Sequence, residues 1–266
     1  MVGADQQPGL LVEGLTYGYG TEVVLDQLDV ELPLGLSAAV LGRNGAGKST
    51  LLNLIAGVYR PHAGSIHFGG TDFRAIAPRE RAQLVAMTPQ VLQIAPTFTV
   101  RDCVSLGRTP YLHPLRGETA HDRSEVDRAM ADAGVERLAN RRIGELSGGE
   151  RQLAALAMSL AQQPQLLLLD EATAHLDLNH QLALLQRVRA LQKERGLTVL
   201  AALHDPNLAG LFFDRVVLLG DRKILRSGAP TDVLTQATLE QLYGAELAVI
   251  PHPRHGSPVV VLDPRS

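Results

Sequence analysis

A glycine-rich segment followed by a lysine and two hydroxyl side chains lies near the start of the chain. Residues 42–50 read Gly-Arg-Asn-Gly-Ala-Gly-Lys-Ser-Thr, which fits the phosphate-loop pattern G-x-x-x-x-G-K-[ST]. Its glycines let successive backbone N–H groups face a polyphosphate, and the helix predicted to follow adds its positive N-terminal end. The candidate binding residues are Gly42, Asn44, Gly45, Ala46, Gly47, Lys48, Ser49 and Thr50, with Lys48 on the β- and γ-phosphates and the Ser49 hydroxyl on Mg²⁺.

Two carboxylates follow a continuous apolar run at 166–169, which is typical of a parallel strand covered on both faces. Asp170 could hold the shell of a Mg²⁺ ion, and Glu171 could polarise an attacking water. Two acids after a strand can also cap a helix. The phosphate loop upstream favours the catalytic interpretation.

A third motif, Leu-Ser-Gly-Gly-Glu at 146–150, precedes a helix that we predict from about residue 151 to 162. Ser147, Gly148 and Gly149 at a helix start form a second end suited to an anion. A single molecule can aim two such ends at one phosphate group only if its fold brings them together. Otherwise a second copy must supply one of them.

The elements that position these motifs alternate between strands and helices. A mostly helical stretch runs from about 99 to 162, where Val126, Ala129, Met130 and Ala133 recur at helical spacing. The predicted strands are 10–16 and 23–32 in an antiparallel layer, 38–41, 64–68, 84–87, 166–169, 198–203, 215–219 and 259–262. Helices are predicted at 48–56 and 179–195, and residues 251–266 are expected to form a loose tail.

Composition excludes several classes of protein. The formal net charge of the 266 residues is −3, which disfavours sequence-independent nucleic-acid binding. The single cysteine, Cys103, cannot form an internal disulfide. No apolar run approaches the roughly 18–20 residues that span a bilayer, so we expect any membrane role to come through a partner.

In their order along the chain, the three motifs resemble those of the ATP-binding subunit of ATP-binding-cassette (ABC) transporters, and the resemblance covers about residues 9–250. The resemblance implies an α/β fold with a P-loop NTPase core, an antiparallel β subdomain and a helical subdomain at about 92–163. It implies ATP and Mg²⁺ as ligands and ATP hydrolysis by a head-to-tail homodimer. In that dimer each ATP lies between one copy's phosphate loop and the other copy's signature, residues 147–149. It also implies integral-membrane permease subunits, indirectly a substrate-binding protein, no nucleic acid, and a peripheral location on the cytoplasmic face of the membrane.

The same resemblance extends to single residues. Tyr19 matches the aromatic residue that stacks on adenine, with Tyr17 as the competing candidate. Gln90 matches a glutamine that contacts Mg²⁺ and water, Asp177 matches a loop that communicates across the dimer, and His204 matches a histidine on the γ-phosphate. The expected catalytic residues are therefore Glu171, His204, Gln90 and Lys48, and the expected Mg²⁺ ligands are Ser49, Gln90 and Asp170.

Four segments, at 100–111, 176–181, 228–235 and 251–258, resemble importers of iron–siderophore complexes, haem and cobalamin. Iron–siderophore import is the first hypothesis. An efflux ABC ATPase is one alternative, and a soluble cassette ATPase acting on ribosomes or DNA is another; a single cassette and a negative charge disfavour the latter. The chain departs from the family in having Ala172 where proline is usual and Leu153 where arginine is usual. Neither departure removes a group from the chemistry.

Overall fold

The computed structural model describes residues 9–113, 117–174 and 176–262, in two compact units. The discontinuous unit consists of the described residues up to Ile76 and from Thr198 onward, and the central unit is Ala77–Leu197. Residues 263–266 of the predicted tail, and His175 beside the predicted communication loop, lie outside the described residues. Across the described part of the chain, no helix is both long and apolar enough to cross a membrane.

The discontinuous unit contains the antiparallel layer that the sequence predicts. Strands β1 (Leu10–Tyr19), β2 (Glu22–Leu32), β4 (Ala63–Phe68) and β5 (Thr71–Asp72) lie in the order β2-β1-β4-β5, with antiparallel neighbours. Apolar residues such as Leu10, Val12 and Leu28 are fully buried.

The second layer of this unit is built around parallel strands. Strand β3 (Ser37–Leu41) pairs in parallel with β8 (Thr198–Leu203) and with β9 (Arg215–Gly220), and β9 pairs antiparallel with β10 (Lys223–Gly228). Leu41 is the register partner of Leu203, so the residues that follow β3 and β8 emerge at the same edge. Helix α1 (Lys48–Ala56) follows β3 with the predicted bounds, and Gly57 ends it in a left-handed conformation.

The C-terminal region is better ordered than the sequence predicts. Helices α7 (Pro206–Phe212), α8 (Pro230–Val233) and α9 (Gln236–Tyr243) precede a hairpin of β11 (Leu247–Pro251) and β12 (Pro258–Leu262). The predicted strand at 259–262 is confirmed, but the prediction of a loose tail is wrong for residues 251–262. The backbone N–H of Val260 donates to Asn207 Oδ1 (2.7 Å), and Asn207 Nδ2 donates back to the Val260 carbonyl (3.3 Å), so the hairpin is tied to α7.

The central unit is mostly helical between residues 99 and 162, as predicted. Its helices are α2 (Pro78–Leu84), α3 (Val100–Ser105), α4 (Ala120–Ala133), α5 (Gly148–Ala161) and α6 (Leu178–Arg195). Strands β6 (Val85–Thr88) and β7 (Leu166–Asp170) pair in parallel. Helix α5 begins three residues earlier than predicted, because Ser147 and Glu150 form a capping box that starts the helix at Gly148.

The predicted apolar face of α4 is buried, with Val126, Ala129, Met130 and Ala133 at 2% exposure or less. Cys103 of α3 is also fully buried, and burial raises the pKa of its thiol to about 12. A buried thiol that stays protonated acts as a small apolar core residue rather than as a nucleophile.

Candidate functional site

The phosphate loop connects β3 to α1, and its glycines are required by its shape. Gly45 and Gly47 have φ values of 79° and 101°, in the left-handed region that L side chains rarely adopt. A Cβ atom on Gly47 would lie 2.6 Å from Leu25 Cδ2, and one on Gly42 would lie 2.5 Å from the Leu219 carbonyl oxygen. The loop can therefore curl tightly only with glycine at these positions.

Lys48 is the first residue of α1 and is only 4% exposed. Its Nζ donates hydrogen bonds to the carbonyl oxygens of Gly42 (3.0 Å) and Arg43 (3.4 Å), so the side chain folds back over its own loop. Ser49 is half-buried and Thr50 is buried; of the other predicted loop residues, Asn44 and Gly45 are exposed and Ala46 is half-buried. The ammonium group thus lies against the backbone of the loop that the motif predicts to bind phosphate.

Three tyrosines form an aromatic cluster at the end of β1. Tyr17 stacks on Tyr59, with ring centroids 5.4 Å apart and planes 8° apart, and its centroid is 5.1 Å from that of His62. Tyr19 meets Tyr17 and Tyr59 edge-on and is 49% exposed, and its hydroxyl is hydrogen-bonded to Thr50 Oγ1 at 3.2 Å. Tyr17 is half-buried and already stacked on Tyr59, whereas Tyr19 is exposed, so Tyr19 is the more accessible of the two rings for stacking on a base.

His204 follows β8 directly and is exposed. Since Leu41 and Leu203 are paired, His204 emerges on the strand next to the one that leads into Gly42. The next residue, Asp205, caps α7 by accepting a hydrogen bond from the Asn207 N–H (2.7 Å). This cap fixes the chain direction just after the histidine.

In the central unit, the ends of β6 and β7 bring Gln90 and Glu171 together. Thr88 is the register partner of Leu169, so the residues after these two emerge at one edge. Gln90 Nε2 donates to Glu171 Oε2 at 3.2 Å. Asp170, the last residue of β7, directly precedes Glu171 in the sequence and is half-buried.

Glu171 has a left-handed backbone, with φ of 49°, and its carbonyl oxygen accepts from the Ala174 N–H (2.8 Å) in a tight turn. A non-glycine residue in this region stores strain, of order 1–3 kcal/mol, and such residues concentrate at functional sites. Ala172, at the family's usual proline position, is buried inside this turn.

The signature residues lie on the surface of the central unit. Ser147 and Gly148 are exposed and Gly149 is buried. Ser147 Oγ accepts from the Glu150 N–H (3.2 Å), and Glu150 Oε2 accepts from the Ser147 N–H (2.9 Å). The backbone N–H of Ser147 is the main reason why the pKa of Glu150 is lowered, so the capping carboxylate stays ionised.

Two residues in this region were missed as functional candidates. Gln152 is 6% exposed and its Nε2 donates to the Pro89 carbonyl (3.0 Å), which ties the signature helix to the segment that carries Gln90. His180 Nδ1 lies 2.8 Å from Asp177 Oδ2, and Asp177 Oδ1 caps α6 by accepting from the His180 N–H (2.9 Å). Of these two residues, only His180 could have been found from the sequence, because Asp177 lies three residues before it at the start of a helix.

Each unit gathers part of the predicted site. The discontinuous unit holds Tyr19, the loop 42–50 and His204, and the central unit holds Gln90, Asp170, Glu171, the signature and Asp177. The first set offers backbone amides, an ammonium group and an aromatic ring, which suits a nucleoside polyphosphate. The second offers a carboxylate and an amide joined by a hydrogen bond, which suits the handling of a water molecule.

Comparison with known proteins agrees with these chemical properties. A family model described as "ABC transporter" matches residues 25–174. The chain is 36% identical over 249 residues to the ferric enterobactin transport ATP-binding protein FepC of Escherichia coli, covering 94% of this chain and 92% of that protein. It is 44% identical over 245 residues to the hemin import ATP-binding protein HmuV of Gloeobacter violaceus, covering 90% and 88%.

Solved structures give the same result for the fold. One is the inward-facing conformation of an ABC transporter assigned to the metal-chelate type (TM-score 0.83, 29% identity, 96% of both chains covered). Another is the dimeric post-hydrolysis state of the ATP-binding cassette MJ0796 bound to ADP and Pi (TM-score 0.72, 26% identity, 83% of this chain and 98% of that chain). The chain therefore belongs to the ATP-binding proteins of the ABC transporter family, and it is an ATPase.

Proposed function

We propose that this ATPase energises the import of an iron–siderophore complex or a related metal chelate through a membrane ABC transporter. The observation that carries the proposal is the match, over nine-tenths of the chain, to proteins named for transport of ferric enterobactin and import of hemin. The metal-chelate assignment of the structural neighbour agrees with it.

The proposed chemistry assigns each residue a role. Tyr19 stacks on the adenine ring, and the loop amides with Lys48 bind the β- and γ-phosphates. Water attacks the γ-phosphorus while Glu171 takes its proton, the bond to the β-phosphate oxygen breaks, and ADP and inorganic phosphate leave. Gln90 orients that water together with Glu171, to which it is already hydrogen-bonded, and His204 contacts the γ-phosphate.

The donor set fits Mg²⁺, which prefers hard oxygen ligands and is usually held by one or two carboxylates together with substrate phosphates. Ser49 supplies a hydroxyl, Asp170 a carboxylate, and Gln90 its amide oxygen, because the amide nitrogen is the atom that donates to Glu171. When bound, Mg²⁺ would neutralise charge on the β- and γ-phosphates.

We further propose a head-to-tail homodimer in which Ser147, Gly148 and Gly149 of one copy face the ATP held by the other. The surface position of Ser147 and Gly148, and the dimeric state of the MJ0796 cassette, support this arrangement. Asp177 would then belong to the loop that contacts the second copy. The dimer docks on integral-membrane permease subunits at the cytoplasmic face of the membrane, and a substrate-binding protein delivers the cargo to those subunits.

The variant Glu171→Gln tests the proposed hydrolysis and dimerisation. Removing the base is expected to lower turnover by about 100-fold or more, while ATP with Mg²⁺ drives the variant to dimers in sedimentation experiments. Glu194→Gln, an exposed change on α6, is the matched control and should behave like the parent. Full turnover in Glu171→Gln, or a variant that stays monomeric with ATP and Mg²⁺, would refute the proposal.

The cargo requires a separate test. The chain is co-expressed with candidate permease and binding proteins, and ATPase activity is measured in proteoliposomes. A binding protein loaded with a ferric siderophore should stimulate turnover. Stimulation by haem or cobalamin alone would reassign the cargo, and no stimulation by any loaded binding protein would contradict import.

A further inference from the structure

His180, on the first turn of α6, contacts the signature of its own chain. If Gly149 carried a Cβ atom, that atom would lie 2.6 Å from His180 Nε2 and closer still to the ring carbons Cγ and Cδ2. The imidazole ring therefore occupies the space where a side chain at Gly149 would be. Gly149 is buried beneath it, whereas Ser147 and Gly148 next to it are exposed.

The ring is held in this orientation from the opposite side. Asp177 accepts from the backbone N–H of His180 with Oδ1 (2.9 Å), and its Oδ2 lies 2.8 Å from His180 Nδ1. These bonds, the one from the backbone N–H first, lower the pKa of Asp177, so the carboxylate remains ionised to accept them. The ring is thus fixed between a carboxylate on its Nδ1 side and a glycine backbone on its other side.

The side chain of Gln181, next to His180, attaches the segment between β7 and α6 to the first turns of α6. Gln181 Nε2 donates to the carbonyl oxygens of Thr173 (3.3 Å) and Leu176 (3.0 Å). The turn that contains Thr173 begins at Glu171, whose carbonyl oxygen accepts from the Ala174 N–H. A series of contacts within one unit therefore runs from Glu171 through Gln181 and His180 to the backbone of Gly149.

We propose that His180 is a positioning residue that sets the place of the signature according to the conformation of the segment after Glu171. This inference rests on the proposed function, in which Glu171 serves the ATP of its own copy and the signature serves the ATP of the other copy. His180 then links the two ATP sites of the dimer through its own chain.

The test uses the Glu171→Gln background, in which hydrolysis does not interfere. Sedimentation gives the dimer dissociation constant with ATP and Mg²⁺, and fluorescent ADP gives nucleotide affinity of the monomer. His180→Ala is expected to weaken the dimer by about tenfold, the size of one lost well-packed polar contact, and to leave ADP affinity within about twofold. His121→Ala, an exposed change on α4, is the matched control and should leave both constants unchanged.

His180→Asn separates positioning by the ring from simple capping of the loop. Asparagine can donate to Asp177 but has no ring to rest on Gly149, so we expect this variant to remain close to His180→Ala. Recovery of the parent dimer constant in His180→Asn would overturn the proposal, as would an unchanged constant in His180→Ala. A parallel loss of ADP affinity and melting temperature would also overturn it, because that result indicates a general structural role. If the His180-containing parent fails to dimerise, the proposed function itself has failed.

Discussion

Removal of the Arg108 guanidinium should destabilise the central unit, because it would leave a buried carboxylate without its cation. Arg108 and Asp122 have side chains only 1% and 6% exposed, and Arg108 Nε donates to Asp122 Oδ1 at 3.0 Å. Arg108 also donates to the Ala161 carbonyl (2.7 Å) and to Gln163 Oε1 (2.8 Å), and its guanidinium carbon lies 3.9 Å from the Tyr111 ring centroid. One side chain therefore joins α4 to the end of α5.

Breaking a buried pair by removing one partner costs about 3–5 kcal/mol. Asp122 keeps two hydrogen bonds from Thr119, from its N–H (2.9 Å) and its hydroxyl (2.6 Å), so we expect Arg108→Met to cost about 3 kcal/mol, at the low end of that range. For a chain of this size, such a loss lowers the melting temperature by roughly 6–12 °C. Circular dichroism at pH 7 measures it, and an Arg108→Met/Asp122→Asn double variant should recover part of the loss because no unpaired charge remains.

The pH dependence of stability reports on all the hydrogen bonds that Asp122 accepts, from Thr119 as well as from Arg108. Hydrogen bonds from the Thr119 side chain, then from its backbone, together with Arg108, outweigh burial and lower the pKa of Asp122 from 3.8 to about 2. A lowered folded-state pKa stabilises the fold above the unfolded value and loses that effect as the pH falls from about 4 to about 2, here about 2 kcal/mol. If Arg108→Met melts within about 2 °C of the parent, the estimated cost of leaving Asp122 unpaired is wrong.

Two further predictions concern the nucleotide. Lys48→Ala should reduce turnover by about 100-fold or more, because an ammonium group that meets the phosphates is lost; unchanged kinetics in a steady-state ATPase assay would contradict the phosphate-loop assignment. Tyr19→Ala should weaken ATP binding by roughly 1–3 kcal/mol, the usual contribution of base–aromatic stacking, while Tyr19→Phe preserves it. Tyr17→Ala is the comparison variant, and a larger loss of ATP affinity there than in Tyr19→Ala would transfer the adenine contact to Tyr17.

Features coded by neighbouring residues could be predicted from the sequence. The bounds of α1 follow from the glycines on both sides of it, at Gly47 and Gly57, and they were predicted without error. The buried β7 and β8 follow from continuous apolar runs. The start of α5 was misplaced although its signal is local, since Ser147 and Glu150 have the spacing of a capping box.

The motifs, their order and the family can be read from the amino-acid sequence, because the curled loop and the strand ends need particular residue types at fixed spacing. Which distant residues meet depends on the packing of the folded chain. The contact of His180 with Gly149, the pairing of Arg108 with Asp122 and the hydrogen bond from the Val260 N–H to Asn207 join residues 14 to 53 positions apart. No local pattern codes for such contacts, because they depend on how whole helices and strands pack and not on the conformational preferences of the residues themselves.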